Sequence, residues 1–110
     1  MIYSIRVMKS AQADMREIYR YIAEDLYNQD AAEGRIADIE ESIRSLKKMP
    51  TRFPFVLDRY LASKGFRMIV VKAHLVFFIV REDIKTVSVM RVLYNRRDWM
   101  QVLMPERMKQ

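Results

Sequence analysis

The chain has 110 residues, 51% of them hydrophobic, with no cysteine, one histidine and a formal net charge of +6. That length holds one domain with a real core, and the composition excludes a disulfide framework, thiolate chemistry and a multi-histidine metal site. No apolar run approaches the roughly 18 residues of a membrane span, and the opening MIYSIRVMKS, without a basic region followed by a long apolar one, is not expected to be a secretory signal.

Residues 2–8 alternate, with Tyr3, Ile5 and Val7 on one face, and predict a short strand. Ser10 is placed to cap a helix, along which Ala11, Met15, Ile18, Ile22 and Leu26 form one apolar stripe. Asn28-Gln29-Asp30 is a tight connection, and Asp30 with Glu33 predicts an acidic capping box for a second helix. Ala32, Ile36, Ile39, Ile43 and Leu46 carry that helix to Pro50, so the two helices form an antiparallel hairpin. Residues 50–64 are irregular, with alternating aromatic and basic side chains that either plug the core edge or serve function, Arg52, Arg59, Tyr60 and Lys64 among them. Strands are predicted at Phe66–Val71, Leu75–Val80 and Thr86–Leu93, with Lys72-Ala73-His74 as a turn. Arg96–Leu103 reads as a short amphipathic helix, and 104–110 as a tail of this single domain.

The order predicts an α+β domain: a four-stranded, mainly antiparallel sheet with an N-terminal strand, a two-helix hairpin on one face and a short C-terminal helix. The other sheet face is expected to be partly open, with Arg67 and nearby aromatics on it. Residues 1–50 hold eight Lys/Arg against nine Asp/Glu, whereas residues 51–110 hold twelve against five. This asymmetry favours nucleic acid or an acidic protein as partner. The positive half carries VMRVLYNRRDW (Val89–Trp99), where Arg91 interrupts an apolar strand. An arginine there must be paired or kept wet.

The first strand, the A-x-x-D helix with I-Y-x-Y-I (Ala11–Ile22), L-x-x-x-P at Leu46–Pro50, G-x-R at Gly65–Arg67, the VFF strand and RVLYNRRD together resemble the RelE/ParE superfamily of bacterial toxins. The resemblance covers about residues 1–103. It implies a cytoplasmic toxin of a type II toxin–antitoxin module, also called a plasmid-stabilisation protein, held inactive by a cognate acidic antitoxin. RelE-like members cleave mRNA in the ribosome, whereas ParE-like members inhibit DNA gyrase by binding. For the ribonuclease branch, the resemblance assigns catalysis to Arg67, Arg91 and Tyr94. Arg59, Lys64, Arg96 and Arg97 are expected to contact nucleic acid; no metal and no cofactor is expected.

RNA cleavage by its own 2′-OH needs a base, cations for the phosphorane and an acid. The arginines suit the charge. Tyr94 stands where many relatives have histidine, and it accepts a proton only if cations lower its pKa. In a regular strand Arg91 and Tyr94 have opposite parity, and a bulge is needed to unite them. A structural ion pair of Arg91 with Asp98 or Glu17 is the competing reading. His74 is expected to be a solvated turn residue, and Trp99 to anchor the last helix. The leading expectation is therefore a ribosome-dependent mRNA endoribonuclease, with gyrase inhibition next and a non-toxic basic binding module third. Arg67→Ala is expected to abolish toxicity while leaving the fold intact.

Overall fold

The computed structural model describes residues 2–95 and 99–103. Strand β1 (Ser4–Val7) leads into helix α1 (Lys9–Arg20). Ser10 does not cap α1: the helix has already begun at Lys9, and the hydroxyl donates to the Met90 carbonyl at 3.0 Å, tying the helix to the sheet. The apolar stripe of α1 buries Ala11 and partly buries Met15 and Ile18. It then meets a π-turn, Tyr21–Asp25, in which the Leu26 N–H bonds the Tyr21 carbonyl five residues back. The wider turn breaks the 3.6-residue register, so Leu26, expected on the buried stripe, is 54% exposed.

Helix α2 (Gln29–Arg44) is capped by Asn28, whose side chain accepts from the Ala31 N–H at 3.0 Å. The Asp30–Glu33 box is therefore not the cap, because the helix has started before it. Ala32, Ile39, Ile43 and Leu46 are buried as their spacing predicts. The irregular segment after Pro50 contains an unexpected helix, α3 (Arg59–Ser63), whose Asp58 cap accepts from the Leu61 N–H at 2.9 Å. Gly65, at φ +91°, turns the chain from α3 into the sheet in a conformation that side chains disfavour.

Strands β2 (Phe66–Val71), β3 (His74–Arg81) and β4 (Thr86–Tyr94) complete a sheet in the order β1-β4-β3-β2. β1 runs parallel to β4, and the other pairs are antiparallel. His74 is the first residue of β3, not a turn residue, and it is buried. On one face, Ile69, Val71, Val76, Phe78, Val87, Val89 and Val92 pack under the hairpin. The other face is partly open, as expected, with Val70 59% exposed, but much of it is covered. Leu61 of α3 and Val56 pack on Leu75 and Phe77, and helix α4 (Trp99–Leu103) adds Trp99, with its ring 4.9 Å from that of Phe77.

Arg67 has the parity of Ile69 and Val71, so it does not lie on that second face with the aromatics of α3. A bulge sits in β4 opposite Phe77/Phe78: Phe78 pairs with Val89 and Phe77 with Arg91, leaving Met90 extra. The extra residue reverses the alternation. Val92 therefore shares the hairpin face with Val87 and Val89, and Tyr94, two residues on, follows it.

Candidate functional site at the strand end and the hairpin cleft

Arg91 reaches α1 through the bulge. Its Nε and NH2 donate to the two carboxylate oxygens of Asp14 at 2.7 and 2.8 Å, and the Val92 N–H donates to the same carboxylate at 2.9 Å. Both side chains are largely shielded, 28% and 14% exposed. The hydrogen bond to Asp14 holds the Arg91 proton more tightly, against the opposing effect of burial. The ion pair foreseen for Arg91 exists, with Asp14 rather than with Glu17; Asp98 lies outside the described residues. A bidentate pair of this kind fixes geometry and neutralises the charge that a phosphate would need.

Arg67 is held elsewhere. Its NH1 donates to the carbonyls of Phe53 (2.7 Å) and Thr51 (3.3 Å), and its guanidinium stacks 3.9 Å from the Phe55 ring centroid. It thereby clips the segment after Pro50 to β2, where Phe55 also forms a bridge to it. Register places Arg67 in the row of Phe78 and Val89, but Tyr94 in the row of Val71 and His74. Two strands across and four residues along separate their Cα atoms by about 16 Å. The bulge at Met90 precedes both Arg91 and Tyr94 and leaves their opposite parity in place. Arg91 meets the helical layer only through its guanidinium on Asp14, and Arg67, Arg91 and Tyr94 do not surround one point. Arg59 and Lys64 flank α3 on the opposite face of the sheet, Lys64 with its ammonium 5.4 Å from the Tyr60 ring centroid. Arg96 and Arg97 lie outside the described residues.

What Tyr94 does meet is a cleft of about 740 Å³ between α1, the π-turn, α2 and the ends of β3 and β4. His74 and Tyr94 pair directly across the strands, their rings edge to face with centroids 5.6 Å apart. Arg35 of α2 comes down on His74, with its NH1 3.0 Å from Nδ1. Because a guanidinium can only donate, Nδ1 accepts and the imidazole is neutral with its proton on Nε2. Burial pushes the His74 pKa down from its ordinary value, and the Arg35 charge pushes the same way. Tyr94 itself is 57% exposed.

Asp14, Arg35 and His74 are the residues that sequence reasoning missed as site groups. Asp14 lies between Ala11 and Met15/Ile18 on the inward side of α1, and Arg35 lies three residues beyond Ala32 on that of α2. A charged residue on an otherwise apolar helix face was the available signal, since such a group needs a partner. Among the described residues, no three His, Asp or Glu side chains come together as metal ligands, and no helix is long and apolar enough to cross a membrane.

The fold has known counterparts. A chain of the chromosomal ParDE toxin–antitoxin system from P. aeruginosa superposes with a TM-score of 0.71 at 18% identity, over 86% of this chain and 98% of that one. A chain of the toxin–antitoxin complex RelBE2 from Mycobacterium tuberculosis gives 0.63 at 15% identity, over 86% and 100%. No curated protein matches in sequence. The family model describing the ParE toxin of the type II toxin–antitoxin system parDE matches residues 5–99. With that match spanning nearly the whole sheet and both hairpin helices, the chain belongs to the ParE toxin family, within the RelE/ParE superfamily.

Proposed function

We propose that the chain arrests growth in the bacterial cytoplasm by binding a macromolecular target, DNA gyrase in the ParE-like manner, and that a cognate acidic antitoxin neutralises it. The observation that carries this reading is the Arg91–Asp14 pair. With Arg91 neutralised and Arg67 holding the carbonyls of Thr51 and Phe53, two cations that RNA cleavage would require are committed to the fold. A phosphorane without preorganised cations gains little from an enzyme, whereas inhibition by binding needs no such constellation. The net charge of +6 supports an acidic partner, and the ParDE and RelBE2 counterparts come from toxin–antitoxin systems.

The test is induction of the chain in a host without the antitoxin, following DNA supercoiling and mRNA integrity together. Growth arrest with altered supercoiling and intact mRNA is the expected result. Rapid mRNA cleavage at ribosome-bound codons would overturn the binding reading in favour of the ribosome-dependent endoribonuclease. Unimpaired growth would leave a non-toxic binding module.

A further inference from the structure

The cleft beside Tyr94 contains two arginines in contrasting states. Arg20 is paired, at 2.6 Å from Glu17 and 3.8 Å from Asp25. Arg35 is half-buried, and among the described residues its side chain has no carboxylate partner; its hydrogen bond goes to a neutral imidazole. A shielded cation without a counter-ion is costly unless an anion or water reaches it. Three donor-bearing side chains line the cleft side by side: Arg35, with His74 against its NH1, and Tyr94, whose ring lies 5.6 Å from that of His74. Around them the wall is apolar and aromatic, formed by Ile18, Ile22, Leu26 and Tyr21. Tyr21, Leu26 and Tyr94 are each more than half exposed although large and apolar or aromatic. The volume falls within the range of small-molecule sites.

We propose that this cleft binds a small oxyanion carried on an aromatic ring, with the oxyanion on Arg35, His74 and Tyr94 and the ring against Tyr21 and Leu26. Size and charge argue for a small ligand over a nucleic-acid strand. Glu17 lines the cleft and Asp25 lies 3.8 Å from Arg20 of the same wall, so a polyanion would meet both carboxylates, whereas a single anionic group on Arg35 need not. The chemistry accepts either a phosphate or a carboxylate, since both take bidentate contacts from a guanidinium. This site is separate from the target-binding reading above and does not depend on it.

Binding must couple to His74. An anion beside the imidazole favours its protonated form, so the ligand raises a pKa that burial and Arg35 hold down. The charged and titratable groups facing His74 are Arg35 from α2, Tyr94 from β4, Glu17 and Arg20 from α1, and Tyr21 from the π-turn. As the chain has one histidine, its ring resonances report this site without ambiguity. The experiment titrates the full chain by NMR with phenyl phosphate, benzoate, inorganic phosphate and chloride as probes.

Phenyl phosphate or benzoate is expected to shift the His74 resonances saturably and to raise its pKa by about one unit. Inorganic phosphate is expected to bind at least about tenfold more weakly for want of the ring. Arg35→Gln should weaken binding by about tenfold or more, Arg35→Lys should partly restore it, and Tyr94→Phe should weaken it less. Whether phenyl phosphate or benzoate binds more tightly identifies the oxyanion. A His74 titration that is the same in chloride and in both ring-bearing probes would overturn the proposal. Unchanged binding in a folded Arg35→Gln variant would do so as well.

Discussion

The bulge of β4 and the hairpin cleft each bring an arginine to the sheet end of the helical layer, and they treat it in opposite ways. At the bulge, Arg91 meets Asp14 bidentately, and the same carboxylate takes the Val92 N–H, which lies beyond the last β4 residue that β1 pairs with. In the cleft, Arg35 meets a neutral imidazole, and its charge is left to act outward. The first arginine is part of how the fold holds together, and the second is available to a ligand. A basic residue's place in a strand or helix therefore says less about its role than the group that faces it.

Removing Asp14 should test the contrast most severely. Asp14→Ala leaves a shielded guanidinium and a backbone N–H without acceptors, and is expected to cost about 2–4 kcal/mol, read as a lowered midpoint in urea with an unchanged slope. A loss under about 0.5 kcal/mol, the level of an ordinary surface change, would mean that the pair is not structural. Arg67→Ala comes next. It frees the carbonyls of Thr51 and Phe53 and the stacked Phe55 ring, and should cost about 1–2 kcal/mol, with the 51–55 segment losing amide-exchange protection. The sequence-based expectation was loss of toxicity with the fold untouched; a destabilised variant would show that its toxicity cannot be read alone.

Arg35→Met should change stability by no more than about 0.5–1 kcal/mol, because the arginine's apolar stem is kept and no carboxylate among the described residues is orphaned. A large loss would place Arg35 with Arg91 as a structural cation. The pH dependence gives the smallest and sharpest signal. His74 in the folded chain has a pKa below its ordinary 6.5, so below that value the unfolded chain binds the proton that the folded chain refuses. Stability should fall as pH drops through about 6.5 and level off once the folded histidine is also protonated. Arg35→Met removes one of the two causes and should make that fall shallower.

Much of the fold was legible in the chain. The stripes of α1 and α2 and the bounds of β2 follow from spacing, and the continuously apolar LVFFIV run marks β3 as covered on both faces. The failures share a physical cause, which is that local pattern does not report tertiary partners. Ser10 looks like a cap but bonds to Met90 across the layer. Residues 59–63 are too short to show periodicity, yet α3 covers part of the second face. His74 follows turn-like residues but lies inside the ladder opposite Tyr94. For the site, parity sets Arg91 and Tyr94 at odds, and the bulge at Met90, which precedes both, does not unite them; the bulge itself has no signature in residue type. That a carboxylate in the A-x-x-D segment would reach Arg91 required the fold.

The central claim is that Arg91 serves the architecture and that toxicity comes from binding. The most direct measurement is growth arrest and gyrase supercoiling with the paired variant Asp14→Asn/Arg91→Gln, which removes both charges while an amide oxygen still accepts from Val92. The account predicts a folded protein that still arrests growth and still perturbs supercoiling. A folded variant that has lost toxicity, where the parent chain cleaves mRNA, would contradict it and return Arg91 to the chemistry of a phosphate.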